Sequence, residues 1–302
     1  MKKVFVVSVV VLTVLYVASM VILWHNAEPK KEATPPTAVQ TLAVTEPEPE
    51  PVINYEEEKN KLTEKINSII SNKSGQWSVY VKNLKTGMEV EINNKEFIAA
   101  SVIKLYNMIT LYDEINKGNM EMTENLKSNL EQMITVSSNS ASNFIVAQIG
   151  NGSFTKGAEI VTTCATNMGC TGTYEQHELF NDHIPAHGIN RTSVRDCGLV
   201  LEKIYLKQCV SPQYDAEMLE LLKNQKKTHK IPAMLPKEVV VANKTGENSN
   251  VEADVGIVFS PQCDYIICIS AERFGESNPV STISTVSECV YDFFNNIEQS
   301  DN

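Results

Sequence analysis

The sequence predicts a mixed α/β (α+β) domain: an antiparallel sheet flanked by its terminal helices, with an all-helical subdomain inserted between two groups of strands. Three observations carry this. Two short runs of alternating apolar and polar residues lie near position 80, and three strand-like apolar runs lie between 238 and 271. Between them, from residue 98 to about 223, apolar residues recur mostly at helical spacing. Helical patterns also open and close the domain, at 55–73 and 280–297. Strands grouped on either side of a helical block build segregated layers rather than βαβ units.

Taken in order, Lys2 and Lys3 precede Val4–Trp24, 21 residues without a charge. That length spans a hydrocarbon core, and the lysines favour keeping residues 1–3 in the cytoplasm and exporting the rest. A cleaved signal peptide is the alternative, since Ala18 and Ser19 are small. No cysteine lies near the end of the run, which argues against lipoprotein attachment. Residues 25–54 are rich in proline and glutamate and read as a linker holding a domain, 55–302, off the membrane. The expected location is therefore the cell membrane, single-pass with the domain outside, or secretion if the segment is cleaved.

Within the domain, Leu62, Ile66, Ile69 and Ile70 mark one face of the first helix. Trp77, Val79 and Val81, the turn "NLKTG", then Met88, Val90 and Ile92 predict a hairpin. The helical block is broken by one polar loop, 171–190. Strands follow at "EVVVAN" (238–243), "DVGIVFS" (254–260) and "YIICISA" (265–271).

The net charge is −11, of which residues 1–54 carry −1, leaving −10 on the domain; this argues against a nucleic-acid partner. Seven cysteines at irregular spacing do not describe a disulfide framework. Up to three bridges are possible, with Cys164 and Cys170 the nearest pair in sequence; small buried thiols are the alternative.

Three motifs carry chemistry. In "EFIAASVIKLYNMITLYDEI" (96–115), which reads as an amphipathic helix, Ser101 and Lys104 stand at i and i+3 and share a face. Serine near a helix start has free backbone N–H groups for an oxyanion, and a desolvated lysine can lose its proton and activate the hydroxyl. In "MITVSSNSASNFIV", Ser137 and Asn139 offer a hydroxyl to relay a proton and a carboxamide to bind an amide. Lys244–Thr245–Gly246 ends a strand and offers positive charge, a hydroxyl and close backbone approach. Lys85–Thr86–Gly87 spells the same triplet but lies between the hairpin strands and reads as a turn.

In this order the three motifs resemble the class A β-lactamases and penicillin-binding proteins, over about residues 55–298. "INRTSVRDCGLVLEKI" and "KIPAMLPKEVVVANKTGE" are similar too. The resemblance implies a β-lactamase-like fold and an acyl-enzyme on Ser101, with Lys104 serving in its activation. It implies that Ser137 shuttles a proton to the leaving nitrogen and that Asn139 binds the substrate side-chain amide. Lys244 and Thr245 would engage the substrate carboxylate. The backbone N–H groups of Ser101 and Glu247 would form the oxyanion hole.

The sequence departs from the family in four places. The segment between Ser101 and Ser137 is shorter than in typical β-lactamases and lacks an obvious aromatic to flank the cleft. Ser138 replaces the family's aspartate, "ENSNVEADVGIV" offers no arginine, and the loop "TGTYEQHELFNDHIPAHGINRTS" leaves the deacylating glutamate open. Counting back from Thr192–Ser193 gives Glu178, with Asn181 or Asp182 as companion; anchoring on "ELFN" gives Gln176. His177, His183 and His187 with Glu178 and Asp182 fit no zinc spacing, so neither metal nor cofactor is expected. The expected function is β-lactam hydrolysis by a membrane-tethered, monomeric serine hydrolase. The alternatives are a D,D-peptidase-like penicillin-binding protein acting on cell-wall peptides, and a non-catalytic sensor on the same fold.

Overall fold

The computed structural model describes residues 54–180 and 189–296. The apolar run 4–24, nearly all of the linker and loop residues 181–188 lie outside the described residues, with Asp182, His183 and His187 among them. Among the described residues, no helix is long and apolar enough to cross a membrane.

Helix α1 (Tyr55–Ile70) starts where the Asn54 side chain accepts the Glu57 N–H, with three glutamates in its first turn to complement the dipole. It buries Leu62, Ile66 and Ile70, one residue per turn. Strands β1 (Gln76–Asn83) and β2 (Glu89–Ile92) form the predicted hairpin. Then come β3 (Phe97–Ile98), a 3-10 turn at Ala100–Val102 and α2 (Ile103–Asn116). Helices α3 (Glu124–Thr135), α4 (Asn139–Ile149) and α5 (Phe154–Asn167) follow, then β4 (Arg191–Thr192), α6 (Val194–Tyr205) and α7 (Pro212–Lys223). Strands β5 (Val240–Asn248), β6 (Val251–Phe259) and β7 (Tyr265–Glu272) and helix α8 (Pro279–Asn296) complete the order.

The sheet runs β2-β1-β7-β6-β5, antiparallel throughout. Its alternation feeds two cores. Val79, Val81, Ile267 and Ile269 pack with α1 and α8 residues such as Leu62, Ile66, Val286 and Val290. Tyr80, Ile266 and Cys268 face the helical half, with Tyr106, Ile109, Val200 and Leu201. Central strand β7 is buried along its whole length, which is why "YIICISA" reads as an uninterrupted apolar run.

Three expectations shift. The helix expected from 96 starts only at Ala100, because Phe97 and Ile98 pair with Thr192 and Arg191 in a second small sheet. The Ile98 N–H is further drawn to Glu272 Oε1 at 2.7 Å. Strand β5 runs on to Asn248, paired with β6 all the way, so the late triplet lies within the strand rather than at its end. All seven cysteines are free, five of them buried, so Cys164 and Cys170 do not pair.

Candidate active site

The 3-10 turn runs straight into α2, placing Ser101 on the first turn of a continuous helical segment. One turn on, Lys104 Nζ lies 2.9 Å from Ser101 Oγ. It lies 2.6 Å from both Ser137 O and Asn139 Oδ1, and 3.3 Å from Ser137 Oγ. Burial pushes the Lys104 ammonium down, and the nearby charges of Lys244 and Lys227 push further, to about 6. At neutral pH it is then a free amine, whose two N–H bonds serve the two carbonyl oxygens and whose lone pair is left for the Ser101 hydroxyl.

Ala100 (φ +43°) and Ser137 (φ +64°) both take the left-handed conformation. This costs an L-residue about 1–2 kcal/mol. Such strain persists where surrounding contacts over-determine the backbone, and here it flanks one lysine on both sides. Ser138 follows as the N-cap of α4, its Oγ accepting the Ala141 N–H at 3.2 Å. That gives the residue replacing the family's aspartate a bracing role of its own.

From β5, Lys244 Nζ lies 2.9 Å from Ser137 Oγ, so one hydroxyl joins both lysines. Lys244 is fully buried; burial, with the charge of Lys227, brings it down to about 7. Thr245 Oγ1 is buried with no partner among the described residues. A β-carbon at Gly246 would come within 2.8 Å of Val102 Cγ2 and 2.9 Å of Ala99 O, so only glycine lets edge strand β5 rest on the Ser101 turn. Glu247 pairs with Lys227 and Lys230. Burial pushes its carboxyl up, but the two lysines outweigh this and hold it near 2. Lys230, itself fully buried, reaches Gly246 O and Ala253 O at 3.2 Å and Glu252 Oε2 at 2.6 Å, pinning β5 to β6.

Ser101, Lys104, Ser137, Asn139 and Lys244 thus form one hydrogen-bonded cluster, with Thr245, Gly246 and Glu247 next along β5. Glu178 is not brought to it: the residue is exposed, and its carboxylate has no hydrogen bond or ion pair among the described residues. Gln176 is exposed as well, its Oε1 accepting the Ile189 N–H. Among the described residues, His177 Nδ1 contacts the neighbouring Glu178 O alone, and no cluster of His, Cys, Asp and Glu is arranged to hold a metal.

Sequence reasoning missed three groups. Asn143, one turn beyond Asn139 on α4, accepts the Leu179 N–H at 2.8 Å and donates to Leu179 O at 2.9 Å. It docks the loop so that Phe180 O lies 3.5 Å from Asn139 Nδ2. The i, i+4 relation to Asn139 was a usable signal. Lys227 supplies a cation near both active-site lysines, in a chain whose late triplet lacks an arginine. Glu175 is buried against Asn107, and nothing in a polar, charged loop marked it out.

Comparison with known proteins places the fold. PBP-A has a similar structure, with a TM-score of 0.69 at 24% identity, covering 78% of this chain and 97% of that one. A leucine-to-glutamate mutant of PBP-A, an acyl-enzyme complex with penicillin G, matches with a TM-score of 0.70 at 24% identity over 79% and 97%. A β-lactamase from Sphaerobacter thermophilus matches with a TM-score of 0.70 at 16% identity over 79% and 98%. At these identities the structures speak for the fold. No curated protein matches the chain. The family model described as the beta-lactamase enzyme family matches residues 61–294, most of the domain that carries the cluster; the chain belongs to that family.

Proposed function

We propose that this protein is a serine acyl-transfer enzyme of the penicillin-recognising kind, which opens a β-lactam or a cell-wall peptide amide and carries the acyl group on Ser101. The carrying observation is the Lys104 amine 2.9 Å from Ser101 Oγ, with both of its N–H bonds engaged elsewhere. As Oγ bonds to the carbonyl carbon, its proton passes to Lys104. It then moves through Ser137 to the nitrogen as the C–N bond breaks. Lys244 and the bare Thr245 hydroxyl suit a substrate carboxylate, Asn139 suits an amide, and the N–H groups of Ser101 and Glu247 take the oxyanion.

The loop favours slow release, and so the penicillin-binding, D,D-peptidase-like reading over fast β-lactam hydrolysis. Docked beside Asn139 are Leu179 and Phe180, and among the described residues no loop carboxylate hydrogen-bonds Ser101, Lys104 or Ser137. With no base to activate water among those described residues, the ester is expected to outlive its formation. For the β-lactamase reading, Glu178 would have to turn inward. Tethering by residues 4–24, with the domain outside the cell, belongs to the same reading and rests on the charge pattern of the N-terminus.

The test is a chromogenic cephalosporin mixed with the full chain, with covalent mass and turnover followed together. A one-to-one adduct on Ser101 that persists, shortened in lifetime by Leu179→Glu, is the expected result. Rapid turnover without an adduct favours a β-lactamase. Neither adduct nor turnover overturns acyl transfer altogether.

A further inference from the structure

Beneath Lys104 lies a carboxyl group that the acylation steps do not use. Glu175 is 4% exposed, at the start of the loop. Its backbone is fixed by Thr162 of α5, whose Oγ1 accepts the Glu175 N–H at 3.0 Å and donates to its carbonyl at 3.4 Å. Its Oε1 accepts from Asn107 Nδ2 at 3.3 Å, and Asn107, one turn beyond Lys104, also donates to Ser142 Oγ of α4 at 3.1 Å.

The other half of this arrangement is bare. Glu175 Oε2 and Asn107 Oδ1 are buried acceptors with no partner among the described residues, and no cation there lies within ion-pairing distance of Glu175. An ionised carboxylate buried there has no ion-pair partner among the described residues, and burial favours the form that holds its proton. One proton on Glu175 also eases the shortage of donors between the two neighbours. Burial pushes the carboxyl up to about 8, against the pull of Asn107 and Lys104. Of the residues around it, Asn107 and Lys104 from α2, Thr162 from α5 and, through Asn107, Ser142 from α4, only Lys104 titrates. Lys104 in turn feels Lys244, Lys227 and Glu247.

We propose that Glu175 is a positioning residue for acylation: it rests as a neutral acid on Asn107, one turn along α2 from Lys104, and so leaves Lys104 a free amine for the Ser101 hydroxyl. An ionised Glu175 would instead hold the proton on Lys104 as an ammonium, which has no lone pair to offer. During acylation the Ser101 proton goes to Lys104 and on through Ser137, while the Glu175 proton stays in place. The inference rests on reading Ser101 as acylated through Lys104.

The experiment is a pH titration of the full chain labelled with carboxyl-13C glutamate, the Glu175 resonance being assigned by its loss in Glu175→Gln or, should that variant not fold, Glu175→Leu. A midpoint above neutrality that falls by at least one unit in Lys104→Arg, where the cation is permanent, supports the proposal. A midpoint below 6, or one that Lys104→Arg leaves in place, overturns it. The pH profile of penicillin acylation in the same Glu175 variant is a second reading. Its acid-limb midpoint should stay within half a unit of wild type; a larger downward displacement means Glu175 was ionised and overturns the proposal. Absence of acylation in the wild type would sink the reading of Ser101 while leaving the carboxyl titration intact as its own result.

Discussion

The tripeptide Lys-Thr-Gly occurs twice in this chain, and the two copies meet opposite surroundings. Lys85–Thr86–Gly87 sits in the β1–β2 turn, exposed, with Asn83 Oδ1 accepting the N–H groups of Lys85 and Thr86 and Gly87 at φ +77° in open space. Lys244–Thr245–Gly246 sits inside β5, at the other edge of the same sheet from β2, buried and in contact with the Ser101 turn. In the first copy the residues serve their own backbone. In the second, glycine is needed for what lies across from it, and lysine is surrounded by other active-site groups. The triplet has no chemistry of its own; packing supplies it.

Substitutions in the two copies should separate them. The largest effect is expected from Lys244→Ala, which removes the lysine on Ser137 that the proposed mechanism assigns to the substrate carboxylate: acylation by penicillin should fall on the order of 100-fold or more. Lys85→Ala should leave that rate within about twofold, since surface positions away from such features change little. Equal losses in both would erase the distinction. Gly246→Ala comes next. Its β-carbon would push against Ala99 and Val102 and displace the nucleophile's turn, so acylation should drop by about 10- to 100-fold. Gly87→Ala meets no atoms but keeps a left-handed φ, so it should cost about 1 kcal/mol of stability in thermal unfolding and nothing in rate.

A pH profile sharpens the contrast further. The proposed mechanism needs Lys104 unprotonated and Lys244 protonated, so acylation efficiency should fall about tenfold per unit below pH ~6 and again above ~7. A flat profile between pH 5 and 8 would mean that burial does not set these charges. The smallest effect is Ser138→Ala, which removes the cap of α4 and should lower stability by about 1 kcal/mol while leaving the pH profile in place.

Much of this architecture could be read directly from residue patterns. The β1–β2 hairpin, the three late strands and the flanking helices announce themselves by local periodicity and turn residues. So does the pairing of Ser101 with Lys104, because i, i+3 geometry is a property of the helix alone. Phe97–Ile98 could not be read this way: its apolar residues suit a helix, and only Thr192, Arg191 and Glu272, distant in sequence, make it a strand. The loop was equally opaque. Whether Gln176, Glu178 or Leu179 approaches the site is decided by the Asn143 clamp, and Glu175 is buried because α2, α4 and α5 close over it.

By itself, then, the sequence determined the layered α+β order, the likeness to penicillin-recognising enzymes and the list of polar groups near Ser101. Tertiary structure decided which Lys-Thr-Gly faces the Ser101 turn, which loop residue docks beside it and which lysines are pushed toward losing their charge. The reason is physical: periodicity and spacing act over a few residues, whereas desolvation and close approach depend on atoms brought together from remote parts of the chain.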